Sequence, residues 1–170
     1  MIKLQHQLIK NINKIDSKYF SDEMFKLYGC FIYRSNFSND EILNWQILWD
    51  NFYNSKLANR QVNTANPVEL LEELPNALLD ISKHEIIVEL LKKIFGSNIG
   101  IFRTRFVIKD KYSQSRVPLH QDNAYQVGLS PKVSVFLALS KVNSKNGGLR
   151  LYPGTHKFGY LGDAGEINKN

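Results

Sequence analysis

The spacing of apolar residues changes once along this chain, near residue 98, from a helical repeat to two-residue alternation. That change constrains the fold more than any other feature, because a segment patterned for one period cannot bury its apolar face in the other. A chain of 170 residues has room for one ordinary domain. The pattern therefore predicts a single α+β domain over 1–170, helix-rich across 1–98 and built of strands across 99–170. A helical layer leading into two packed sheets of a jelly-roll (double-stranded β-helix) fits this order better than alternating βαβ units do.

The helical half divides by its start and stop signals. Lys3 to Ile15 places Leu4, Leu8, Ile12 and Ile15 on one helical face. Tyr28 to Arg34 is aromatic and β-branched, and reads as a strand. Ser38 with Glu41 forms a reciprocal capping pair, which opens a helix whose buried face is Ile42, Trp45, Leu48, Trp49 and Phe52. Pro67 to Leu74 is expected as a short helix stopped by Pro75. Ser82 with Glu85 repeats the capping pattern, and the helix it opens runs through Ile86, Ile87, Leu90, Leu91 and Ile94 to Gly96. His84 in its first turn, like His6, is expected to be a surface or cap residue.

In the second half, Ile99 to Lys109, Arg116 to Asp122, Lys132 to Leu139 and Leu149 to Tyr152 are expected as strands. Asn146-Gly147-Gly148 and Pro153-Gly154 mark turns between them. Arg103, Arg105 and Lys109 fall on one strand as basic positions, facing either solvent or an anionic ligand.

Composition excludes several classes. The longest apolar run, Val135 to Leu139, is far short of the roughly 20 residues needed to span a bilayer as a helix. Met1 to Lys14 carry three lysines without the apolar core or cleavage site of a secretory leader. Cys30 is the one cysteine, so neither an intramolecular disulfide nor a cysteine-based zinc site is available. It is expected as a small buried residue, in a chain suited to a reducing cytoplasm. The net charge of +6 is carried by scattered lysines, a pattern that does not predict nucleic-acid binding.

The chemistry sits in Leu119-His120-Gln121-Asp122. Alternation along a strand puts His120 and Asp122 on the same face. An imidazole and a carboxylate so placed supply two of the three ligands of a 2-His-1-carboxylate site, the open-sided arrangement of non-haem Fe(II) oxygenases. Gln121, between them, points the other way.

The surroundings of this pair resemble the phytanoyl-CoA dioxygenase family of Fe(II)- and 2-oxoglutarate-dependent oxygenases. The resemblance rests on an ordered set: His120-Gln121-Asp122 followed by Tyr125, Lys109 on the preceding strand, the Asn146-Gly147-Gly148 turn, the short Leu149–Tyr152 strand, and Pro153-Gly154-Thr155-His156-Lys157. It covers roughly 28–167 and is densest over 103–166.

The resemblance implies a jelly-roll, Fe(II) held by His120 and Asp122, and 2-oxoglutarate as co-substrate with Gln121 and Lys109 near it. It also implies hydroxylation of a small organic or acyl substrate. Retention of Asp122 points to hydroxylation rather than halogenation. The family's distal histidine and the arginine that clamps 2-oxoglutarate have no counterpart before Asn170. The chain is therefore expected to correspond to the N-terminal two-thirds of such an enzyme. His156, the one histidine after Asp122, is expected to be structural rather than a ligand, and Arg150 and Lys157 to face solvent. The alternative is a non-catalytic jelly-roll binding protein with an incomplete metal site.

Overall fold

The computed structural model describes residues 20–34, 37–56, 74–110, 117, 119–122, 128 and 130–159, and, by backbone alone, 16–17 and 68–70. The expected helix over Lys3–Ile15, Tyr125 and Arg116 lie outside the described residues. In chain order the elements are β1 (Asp16–Ser17), α1 (Asp22–Tyr28), β2 (Ile32–Tyr33), α2 (Asn39–Lys56), β3 (Val68–Leu70), α3 (Asn76–Leu79), α4 (Glu85–Phe95) and β4 (Phe106–Ile108). A 3-10 turn over Asp80–Lys83 joins α3 to α4, and another spans Thr155–Phe158.

Helix α2 organises the molecule. Its start is the capping box expected from the sequence: the Ser38 hydroxyl accepts from the Glu41 N–H at 3.2 Å, while Glu41 Oε2 accepts from the Ser38 N–H at 2.7 Å. Trp45 and Phe52 are buried, and Ile42, Leu48 and Trp49 pack beside them. The core is completed by Leu74, Leu78 and Ile81 from the segment around α3, Ile87 of α4 and Ile108 of β4.

The same helix holds the second half of the chain. Trp49 stacks on Phe106, with ring centroids 5.0 Å apart and planes 11° from parallel. The Tyr53 hydroxyl donates to Asp110 at 2.7 Å. Gln46 Nε2 donates to the Leu139 carbonyl at 2.5 Å, and Leu137 and Leu139 pack against the core. The 137–139 stretch is thereby held against α2 and the core.

Helix α4 starts differently from the expectation. Ser82 donates to the Leu79 carbonyl at 2.7 Å and so is not the cap. His84 is the N-cap, its Nδ1 accepting from the Ile86 N–H at 3.3 Å. Nδ1 as acceptor leaves the ring proton on Nε2, which donates to Glu41 Oε1 at 2.9 Å. The imidazole also packs edge-on against Phe37 and Trp45. His84 therefore ties the starts of α2 and α4 together, a cap role the sequence suggested with a partner it did not.

The three hydrogen bonds on Glu41 have a titration consequence. The Ser38 backbone N–H first, then the Ser38 hydroxyl and His84, hold its carboxyl down to about 2 from an ordinary 4.5. A pKa lowered on folding adds stability that is fully present above the unfolded value and is lost as pH falls through the folded one. Glu41→Gln is expected to flatten the loss of stability between pH 4.5 and about 2, read by urea denaturation at stepped pH. An unchanged slope in that window would contradict the assignment.

Two expectations in the helical half are corrected. Residues 68–70 form a strand, antiparallel to β4 in the register Val68↔Ile108, Glu69↔Val107 and Leu70↔Phe106. Pro75 does not end a helix but precedes one, as the N-cap of α3. Short apolar runs fit either period, and here pairing with β4 decides the matter.

The Tyr28–Arg34 strand is also shorter than expected. Tyr28 ends α1, which Ser21 caps by accepting from the Met24 N–H. Only Ile32 and Tyr33 pair, in parallel with β1. Cys30 is half-buried, and burial pushes its thiol pKa up.

The sheet layer departs most from expectation. Among the described residues there are two two-stranded sheets, β1–β2 and β3–β4. Of the expected Ile99–Lys109 strand, only 106–108 pair. Residues 119–122, 132–139 and 149–152 do not form strands. Alternation specifies which side chains share a face, but a sheet also needs a neighbouring backbone to accept its hydrogen bonds. Val135, Phe136, Leu149, Leu151 and Tyr152 are correspondingly exposed.

Candidate metal site

His120 Nε2 and Asp122 Oδ1 lie 3.3 Å apart, although the segment that carries them is not the strand expected from the sequence. Their side chains are 30% and 38% exposed, so the pair is open on one side. Two ligand bonds of about 2.1 Å would span that separation at an angle of roughly 100°. The donor pair thus fits two adjacent positions of one cation, and a nitrogen with a carboxylate oxygen suits Fe(II) chemistry.

Ser134 completes the local geometry. Its hydroxyl donates to Asp122 Oδ2 at 2.5 Å. One carboxylate oxygen is thereby engaged and the other lies toward His120, which fixes the rotamer. Ser134 is presented by the 130–139 segment that Gln46, Leu137 and Leu139 hold to α2. Sequence reasoning missed this residue. The available signal was a hydroxyl between Val133 and Val135 in an otherwise apolar run.

Gln121 Nε2 donates to the Gly159 carbonyl at 2.9 Å. The residue between the paired side chains is therefore bonded to the segment that follows Pro153-Gly154-Thr155-His156-Lys157. Lys109 is half-buried just after β4, and its stem crosses the 141–148 turn. That turn forms at the predicted Asn-Gly-Gly position: the Gly148 N–H donates to the Asn143 carbonyl at 2.9 Å, and Asn146 Oδ1 accepts from the Asn143 N–H at 2.7 Å. At Gly147, with φ of +89°, a Cβ would lie 2.8 Å from Lys109 Cγ and 2.9 Å from its Cβ. Glycine there both adopts the left-handed turn and admits the lysine stem.

The other described histidines are engaged elsewhere. His84 caps α4 and bonds Glu41. His156 Nε2 donates to the Lys26 carbonyl at 3.0 Å, in keeping with the structural role expected for it. His6 lies outside the described residues. Among the described residues, no group of three or more His, Cys, Asp and Glu side chains gathers as a cation site. Arg150 and Lys157 are exposed. No helix among the described residues is long and apolar enough to cross a membrane.

Comparison with known proteins adds one finding. A family model described as phytanoyl-CoA dioxygenase (PhyH) matches residues 50–163. The match takes in Lys109, His120, Gln121, Asp122, Ser134 and the Pro153–Lys157 segment, and leaves out β1, α1 and β2. No curated protein and no solved structure matches the chain.

Proposed function

The chain belongs to the phytanoyl-CoA dioxygenase (PhyH) family, generally Fe(II)- and 2-oxoglutarate-dependent dioxygenases of cupin-like fold, and from that premise we propose that it is the part of a hydroxylase that supplies the paired metal ligands His120 and Asp122. The observation that carries this reading is the 3.3 Å approach of His120 Nε2 to Asp122 Oδ1, with Ser134 locking the remaining carboxylate oxygen. The reaction proposed is hydroxylation of a small organic or acyl molecule. When bound, Fe(II) would let dioxygen oxidise both molecules, one oxygen atom passing into succinate as 2-oxoglutarate loses CO2 and the other into a substrate C–H bond.

The chain's own residues provide binding and orientation. His120 and Asp122 would hold the cation through one imidazole nitrogen and one carboxylate oxygen. The Ser134 hydroxyl fixes the Asp122 carboxylate, as hydrogen bonds to ligating groups commonly do. Lys109, whose stem packs on Gly147, is proposed to lie near 2-oxoglutarate. Gln121 ties the segment between His120 and Asp122 to the Gly159 carbonyl. His84 and His156 are bonded to Glu41 and to the Lys26 carbonyl, and neither is proposed as the third ligand.

Anaerobic addition of Fe(II) tests the reading. The weak visible absorption band of the iron chelate is expected to appear only when 2-oxoglutarate is also present. Ser134→Ala is expected to weaken Fe(II) binding about tenfold, within the 10- to 100-fold range for groups that orient ligands. The absence of a three-donor cluster among the described residues favours one second reading, a jelly-roll binding protein without catalysis. That reading predicts no band at any 2-oxoglutarate concentration.

A further inference from the structure

Helix α1 and the Pro153–Phe158 segment meet at one glycine. The helix ends at Gly29 in the left-handed region, φ +67°, with the Gly29 N–H donating to the Phe25 carbonyl. The last carbonyls of a helix have no partner within it. Two of these are taken by the later segment. The Gly154 N–H donates to the Tyr28 carbonyl at 2.7 Å, and His156 Nε2 donates to the Lys26 carbonyl at 3.0 Å. The imidazole occupies the space a side chain at position 29 would need: a Cβ there would lie 2.5 Å from His156 Cγ, 2.9 Å from Cε1 and closer still to Nδ1. Nε2 is thus engaged by its hydrogen bond, and the Nδ1 edge of the ring faces Gly29.

The far end of the same segment leads back to the metal pair. Gly159 follows the Thr155–Phe158 turn directly, and its carbonyl accepts from Gln121 Nε2 at 2.9 Å. Gln121 is the residue between His120 and Asp122. An unbroken route of short bonds therefore runs from the end of α1 through His156 and Gly159 to the backbone that carries both ligands.

We propose that Gly29 and His156 form a latch that seats the 153–159 segment on the end of α1 and, through the Gln121–Gly159 bond, sets the position of His120 and Asp122. His156 is then a positioning residue of the site. Helix α1, outside the family match, becomes part of the site's support. The proposal rests on the reading of His120 and Asp122 as metal ligands for its consequence, but not for the mechanical coupling itself.

The test separates the two. In the metal-free full chain, His156→Ala is expected to speed amide hydrogen exchange about tenfold over both 154–159 and 119–122, leaving α4 unchanged. His156→Gln, whose amide can donate to the same carbonyl, is expected to restore the original rates. Exchange raised over 154–159 alone would overturn the latch.

With Co(II) as probe, His156→Ala is expected to bind about tenfold more weakly while the visible band positions stay unchanged. Unchanged affinity, or a changed band, would also overturn it, the latter by making His156 a ligand. If the unaltered chain binds no Co(II), the metal reading falls and the exchange experiment alone decides the latch. Should His156→Ala fail to fold, Gly29→Ala tests the same contact from the other side. Its methyl group is expected to displace the imidazole and raise exchange over 119–122, and no rise there would count against the proposal.

Discussion

Asp122→Ala is expected to reduce Fe(II) or Co(II) affinity by more than about 100-fold and to remove any 2-oxoglutarate-dependent absorption band. The size follows from what the side chain does. Outer groups that merely orient ligands cost about 10- to 100-fold when removed, and Asp122 is proposed as a ligand itself. Its carboxylate lies 3.3 Å from His120 Nε2 and accepts from Ser134. Without it the Ser134 hydroxyl has nothing to orient, so Asp122→Ala combined with Ser134→Ala should bind no more weakly than Asp122→Ala alone. The substitution should leave stability within about 0.5 kcal/mol, because a half-exposed side chain outside the core contributes little. Isothermal titration gives the affinity and urea denaturation the stability. Binding at the original affinity would remove Asp122 from the site and with it the proposed chemistry.

Leu78→Ala is expected to cost about 3–4 kcal/mol of folding stability. Leu78 is 0% exposed, the most deeply buried side chain of the core formed by Trp45, Phe52, Leu74, Ile81, Ile87 and Ile108. It lies on the four-residue α3, flanked by Pro75 and the Asp80–Lys83 turn. Removal of its terminal carbons would leave a void among groups from α2, α4 and β4, which can collapse only in part. Domains of this kind are stable by roughly 5–15 kcal/mol in total, so the loss could halve that margin. Leu43→Ala on α2 is the control: Leu43 is 54% exposed and should cost under about 1 kcal/mol. Equal shifts in the urea midpoint for the two variants would contradict the placement of the core.

Legibility in the sequence followed the range of the interactions involved. The α2 cap was readable because Ser38 and Glu41 are three residues apart and bond each other. The buried face of α2 was readable from its own spacing, and the 141–148 turn from Asn146-Gly147-Gly148. Helix α1 was missed although Ser21, Asp22 and Gly29 are ordinary boundary residues. Its last residue, Tyr28, also opens an aromatic run that suits a strand. The Ser82–Glu85 box was a sound local signal that lost to His84, because Glu41 and the rings of Phe37 and Trp45 hold the histidine in the capping position.

The candidate site divides along the same line. The sequence placed His120 and Asp122 on one face by strand alternation, whereas the two meet in a segment that is not a strand; the ordered motifs around them identified the family that the match over 50–163 shows. Tertiary structure decided the rest: the pairing of 68–70 with 106–108, Ser134 on Asp122, Gln121 on Gly159, and His156 on the end of α1. Each of these joins residues at least twelve positions apart. A local pattern records which way a side chain points relative to its neighbours in the chain. It carries no record of which distant backbone or hydroxyl will meet it, because that is set by how the helices and the later segments pack around Trp45, Phe52 and Leu78.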